Sequence, residues 1–138
     1  MAFRQKTYGI NFPFQDSTNG DFLDLTTIPE KEIKSNLIHL LLTRKGSRYF
    51  LPSFGTNLYQ YLFEPLTDSV ITAIKSEITT SCESYLPNLK INNINVTQYT
   101  NDPAYANDHK QQRTITVKID YTITSKTFQS SDSITITF

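Results

Sequence analysis

The hydrophobic period of the chain changes once, at Pro87. Before it, apolar residues recur every three or four positions; after it, they recur every two. A helical period followed by a strand period calls for helices packed on an antiparallel sheet. Ile94 and Val96 alternate in a first strand, with Ile91 near its start. Ile115, Val117, Ile119, Tyr121 and Ile123 share one face of a second, and Ile134, Ile136 and Phe138 one face of a third. Residues 98–112, with Asn101-Asp102-Pro103 and Asn107-Asp108, read as a long turn. Residues 125–132 read as a polar turn interrupted by Phe128. Threonines on the opposite face suit an exposed sheet. The expected fold is α+β: an extended N-terminal arm, two main helices and a short one, packed on one face of a C-terminal antiparallel meander of three or more strands. The last strand is expected at an edge, where a free row of backbone groups is a template for another chain.

Residues 1–25 read as the arm and 26–138 as one α+β domain. The arm is punctuated by Gly9, Pro13 and Gly20, and its aromatics, Phe3, Tyr8, Phe12, Phe14 and Phe22, are many for a disordered tail. It either packs on its own domain or reaches a neighbouring subunit. The first helix is expected over 28–42, capped by Thr27 with Glu30 at the capping-box spacing. Pro29 is tolerated in the first turn. Ile33, Leu37, Leu40 and Leu41 make its apolar stripe. A short helix carries Leu58, Tyr59, Leu62 and Phe63, with Thr56 or Asn57 as its cap. The second main helix starts at Thr67 or Asp68, runs on Ile71, Ile74, Ile78, Cys82 and Tyr85, and stops before Pro87.

Between the two main helices lies the most punctuated stretch, residues 43–65, with two of the four glycines and two of the six prolines. Arg44 and Lys45 follow a helix end, where the dipole favours cations. Gly46 is a natural left-handed terminator. Tyr49, Phe50 and Leu51 form a short apolar run closed by Pro52, and Phe54-Gly55 makes a second turn. The stretch is expected to be a rigid joint with buried aromatics.

The charges balance, 13 basic against 13 acidic residues, which argues against binding nucleic acid by phosphate neutralisation. The single cysteine, Cys82, cannot form an internal disulfide. No apolar run is long enough for a transmembrane helix, so no membrane partner is expected. Chemistry is sparse. His39 reads as a packed helix histidine, His109 as a solvated turn residue, and Cys82 as an inert buried thiol. No ligand spacing for a metal exists, no cofactor is expected, and no catalytic residue is nominated. Gly46-Ser47 is not a phosphate loop, because the glycine follows a helix instead of preceding one. Glu64 and Glu83 are the only acid pair considered for glycoside hydrolysis, and nothing in the spacing supports them.

The segment Leu40-Leu41-Leu42-Thr43-Arg44-Lys45-Gly46-Ser47-Arg48, then Pro52-Ser53-Phe54-Gly55, then Leu62-Phe63-Glu64-Pro65, resembles the GPW-type baseplate wedge family, the sheath initiators of contractile phage tails. The family pattern runs helix, Thr-Arg-x-Gly-Glu/Ser-Arg, Pro-x-Phe-Gly and Leu-Phe-Glu-Pro. Gly9-Ile10-Asn11-Phe12-Pro13-Phe14 resembles the family's arm. Many members carry Glu-Pro-Arg after the second helix, implicated in contacts with the wedge's helical core bundle. Here Leu86-Pro87-Asn88 stands in its place, and only the proline is kept.

The resemblance implies a structural virion protein of the tail baseplate, assembled in the host cytoplasm. Its implied partners are other wedge proteins, the tail sheath protein, and the tube or hub. The wedge-core contact then falls to Arg44, Lys45, Arg48, Glu64, Leu86, Pro87 and Asn88. Gly46, Pro52, Phe54, Gly55, Leu62, Phe63 and Pro65 shape the joint. Sheath pairing by strand exchange falls to Ser133, Ile134, Thr135, Ile136, Thr137 and Phe138. The nearest alternative is the equivalent protein of a type VI secretion or other contractile injection system. An alternative of another class is a peptidoglycan hydrolase, since some members are called lysozyme-like, by name only.

Overall fold

In the computed structural model, residues 6–17, 22–98, 114–124 and 129–138 are described. Most of the long turn after the first long strand, His109, Phe3, Gly20 and Phe128 lie outside them. The arm forms two short strands, β1 (Gly9–Ile10) and β2 (Leu25–Thr26), paired antiparallel. Asn11 Nδ2 donates to Asp24 Oδ2 at 2.6 Å across the pair.

Helix α1 spans Pro29–Leu42. Its cap residue is Ile28, not Thr27, and no side chain caps it. The proline is the reason: it holds the preceding residue extended, at φ −110° and ψ 115°, which moves the boundary past Thr27. The Thr26 hydroxyl instead bonds Ile28, accepting from its N–H and donating to its carbonyl. The arm lies on this helix, with the Phe12 N–H donating to Ser35 Oγ at 3.3 Å.

The C-terminal end of α1 differs from expectation too. Thr43 is extended, and both its N–H and its hydroxyl donate to the His39 carbonyl. The hydroxyl makes a second bond to the last turn, so the helix closes without a left-handed residue. Gly46, at φ +85°, reverses the loop that follows instead.

A 3-10 helix occupies Leu58–Phe63. Neither expected residue caps it with a side chain: the Thr56 hydroxyl donates to the Leu41 carbonyl at 2.9 Å, and Asn57 is the cap position without a side-chain bond. Glu64 is extended before Pro65. Helix α2 spans Asp68–Tyr85, and Thr67 Oγ1 accepts the Val70 N–H at its start.

Three antiparallel strands complete the chain: β3 (Leu89–Gln98), β4 (Ile115–Thr124) and β5 (Gln129–Thr137), in the order β3-β4-β5. The last strand is therefore an edge. It starts earlier than the apolar alternation predicts, because residues 129–132 continue the ladder with β4. Asp132 breaks the pattern: it takes an inward position opposite Tyr121 and holds Lys34 of α1 at 2.8 Å in place of an apolar contact.

Leu37, Leu40 and Leu41 of α1 and Ile74, Ile78 and Cys82 of α2 bury against Ile94, Val96, Val117, Ile119, Tyr121, Ile134 and Ile136. The helices cover this face, and the other carries Thr135, Thr137, Lys118 and Asn95 in solvent. Thr122 alone among the β4 threonines is buried there, between Asn92 and Ser131.

Candidate functional site

The stretch after α1 is held by a short parallel pairing rather than by a helix end. The Thr56 N–H donates to the Thr43 carbonyl at 2.8 Å, and the Lys45 N–H to the Thr56 carbonyl at 3.2 Å. This close approach requires Gly55: at φ +113°, a Cβ there would stand 2.3 Å from the Thr43 oxygen. The Gly46 N–H donates to the Pro52 carbonyl at 2.8 Å and closes a loop over the residues between.

Phe54 is the hub of the joint. Its ring meets His39 edge-on at 6.1 Å and Tyr85 at 5.0 Å, and the Arg48 guanidinium lies 4.2 Å from its centroid. His39 in turn meets Phe14 of the arm at 6.3 Å. The Tyr85 hydroxyl donates to Ser53 Oγ at 2.7 Å. One line of rings thus joins arm, α1, turn and α2.

The aromatics of the loop are not buried as expected. Tyr49 is 91% exposed, Phe50 94% and Phe63 81%. The Gly46–Pro52 closure ejects the residues between its ends, so Tyr49 and Phe50 stack edge-to-face on each other at 5.2 Å in solvent.

The three cations divide. Lys45 pairs with Glu77 of α2 at 2.7 Å, and the same carboxylate oxygen accepts the Asn57 N–H. Its charge thus serves the joint itself. Arg44 and Arg48 are exposed and line an open groove of about 890 Å³ with His39, Tyr59, Leu62 and Phe63. Glu64 and Pro65 are exposed beyond the 3-10 helix, and Glu64 bonds Tyr61 only through its backbone.

Leu86, Pro87 and Asn88 line a separate depression with Pro29, Glu32 and Asn36. They thus line a different depression from the one that Arg44 and Arg48 line. Glu64 and Glu83 sit on different elements, each exposed, with no bond between them. Among the described residues no group of three or more His, Cys, Asp and Glu is placed to hold a metal, and no helix is long and apolar enough to cross a membrane. Burial, and secondarily Glu83, pushes the Cys82 thiol up to about 12, which keeps it protonated.

At the sheet edge, Ile134 and Ile136 are buried and Phe138 is packed edge-on against Tyr59 at 5.5 Å. Phe138 and Ile115 exchange both backbone bonds. Counting back along an antiparallel ladder, Ile136 and Ile134 are then hydrogen-bonded positions, and Thr137, Thr135 and Ser133 turn their backbone groups outward. The Ser133 N–H is taken by Asp132 Oδ1 at 2.8 Å. Thr135 and Thr137 remain as outward-facing edge positions.

The sequence profile of the family described as "Baseplate wedge protein gp25" matches residues 29–127, well over half of the chain. The chain belongs to this baseplate wedge family. The wedge protein gp25 of Enterobacteria phage T4 is 35% identical over 66 residues, which is 48% of this chain and 50% of that protein. The chain thus spans about half the length of that curated relative. Two solved structures share the fold. A provisionally named tail lysozyme from Geobacter sulfurreducens aligns at a TM-score of 0.63 and 15% identity, over 80% of this chain and 90% of the other. A chain of the anti-feeding prophage baseplate aligns at 0.60 and 17%, over 91% and 81%. At these identities both likenesses speak for the fold alone, and the lysozyme name transfers no activity.

Two features of the site left no clear signal in the sequence. Tyr59 reads as an ordinary position of the short helix, and only the folded 3-10 helix makes it and Gln60 groove wall. The Lys34–Asp132 tie joins residues 98 positions apart.

Proposed function

We propose that the chain is a structural wedge protein of a contractile tail baseplate that initiates the sheath by lending the edge of its sheet. The observation that carries this reading, beside family membership, is the geometry of β5. Its inner face is fixed in the core while Thr135 and Thr137 present outward backbone groups to solvent. A regular, exposed edge is uncommon unless it is used, because it invites pairing with any extended chain. The opposite edge is less suitable: β3 changes register between Ile91 and Asn93, and an irregularity of this kind interrupts pairing. Main-chain bonds along β5 would supply affinity, and the alternating Thr side chains register. The role needs no catalysis, and its partners are other baseplate proteins and the sheath.

The test is a pair of prolines, Thr135→Pro with Thr137→Pro. Neither residue donates to β4, so the core ladder is kept, while the outward donors are removed. Removing residues 133–138 would be a poorer test, since it strips Ile134 and Ile136 from the core. Tails carrying the proline variant should show baseplates and tubes by electron microscopy but no sheath. Full sheaths on those tails would sink the edge-lending role.

A further inference from the structure

The edge strand β5 has a single charged residue, Asp132. From 133 onward it reads Ser-Ile-Thr-Ile-Thr, with apolar side chains toward the helices and hydroxyls on the other face. This pattern repeats every two residues, so a strand laid along it and shifted by two meets the same kinds of side chain. Alternation alone therefore cannot fix where a partner sits. Asp132 breaks the repeat, at a position that shares the helix side with Ile134 and Ile136. Its carboxylate is held by donors from three elements of the chain. Lys34 Nζ of α1 donates to Oδ2 at 2.8 Å, the Tyr121 hydroxyl of β4 to the same oxygen at 3.4 Å, and the Ser133 N–H of β5 itself to Oδ1 at 2.8 Å. The last of these bonds takes an outward donor of the edge away from any partner.

From this we infer that Asp132 is the register stop of the β5 edge: the strand this edge admits pairs with Thr135 and Thr137 and turns away before Asp132. The inference rests on the reading of β5 as the lent edge, and adds where pairing ends and what kind of strand fits. Two effects stop a strand there. The Ser133 N–H is spent, so the ladder loses a donor at that step. A residue opposite Asp132 would also lie against the carboxylate on the helix side. An apolar one would cover a charge, and an acidic one would repel it. An inward charge is a common means of blunting an edge, and this one blunts only part of the strand. Residues 129–133 carry no apolar side chain, whereas Ile134 and Ile136 are buried and Phe138 packs on Tyr59. The partner is therefore a short strand of alternating apolar and hydroxyl residues. Its apolar side chains lie beside Ile134 and Ile136, and its hydroxyls beside Thr135 and Thr137.

Amide hydrogen exchange on the full chain tests this with a synthetic probe, a repeated Thr-Val peptide flanked by lysines. The peptide is longer than β5, so its length does not set where pairing ends. It should slow the Thr135 and Thr137 amides at least ~10-fold and leave Ser131, the outward amide beyond Ser133, unchanged. Asp132→Val frees the Ser133 N–H and removes the charge, and in that variant the same peptide should slow Ser131 at least ~10-fold as well. Lys34→Met breaks the same ion pair but leaves the carboxylate on Ser133, so its pattern should match the parent. Both variants lose the tie to α1, so a merely structural role for Asp132 would move them together. Slowed Ser131 in the parent, unslowed Ser131 in Asp132→Val, or no slowing at Thr135 and Thr137 would overturn the inference. Sheathed tails are scored separately. Rapid exchange at Thr135 and Thr137 in them, with the peptide pattern as expected, contradicts the edge-lending role alone. Protection of both in tails, with Ser131 slowed by the peptide in the parent chain, contradicts the stop alone.

Discussion

Gly46 and Gly55 both have positive φ, but their surroundings differ. A Cβ on Gly46 meets nothing within 4 Å, whereas one on Gly55 collides with the Thr43 carbonyl. Gly46→Ala should therefore cost only the backbone term, about 1–2 kcal/mol. Gly55→Ala adds the overlap to that term and should exceed about 3 kcal/mol, because the Thr43–Thr56 pairing must open. Urea titrations of the two variants compare them directly. The sequence marked both glycines as turn residues, and it could not rank them, since the clash partner lies twelve residues away. Cys82 was better marked, because its place on the α2 stripe already implied burial. Its thiol is pushed up from 9.0 to about 12 in the fold. The unfolded chain releases this proton from about pH 9, while the folded chain keeps it, so stability is complete below 9 and falls as pH rises toward 12. Burial raises the Tyr121 phenol as well, with the same sign. The urea midpoint should drop between pH 8 and 10.5, and thiol reagents should leave Cys82 untouched in native protein at pH 8.

At the scale of elements, β4 and the two long helices were legible because each buries one unbroken apolar face. Their ends were less so: Pro29 displaced the start of α1, and the Thr43 hydroxyl took the role expected of Gly46. The start of β5 was hidden because Asp132 occupies an inward position. That residue ties the edge strand to α1. The hydrogen bond from Lys34 chiefly, then the Ser133 N–H, holds its carboxyl below the ordinary 3.8. The contribution is present above 3.8 and is lost as pH falls through the lower folded value. Both side chains are well exposed, so screening keeps the pair small. Asp132→Asn should melt lower than the parent at neutral pH, by about 0.2–1 kcal/mol, and the gap should close on acidification below 3.8.

In the whole molecule, two candidate contact surfaces meet at one point. Tyr59 lines the groove, and its ring rests against Phe138 just past the end of β5. A load on the edge strand would thus reach the 3-10 helix through packed rings. Residues 43–65 announced a joint in the sequence by their glycines, prolines and cations. What they could not announce was which side chains the joint would consume. Lys45 and Phe54 went inward, and Arg48, Tyr49, Phe50 and Phe63 went outward, a division set by contacts with Glu77, His39 and Tyr85 on the flanking helices.

The central claim is that β5 receives a strand from the sheath. Amide hydrogen exchange reads it at the two positions that matter. In the isolated chain the Thr135 and Thr137 amides should exchange quickly, beside slow Ile134 and Ile136. In assembled tails Thr135 and Thr137 should become protected, with Ile134 and Ile136 unchanged. Rapid exchange at Thr135 and Thr137 in fully sheathed tails would contradict the claim.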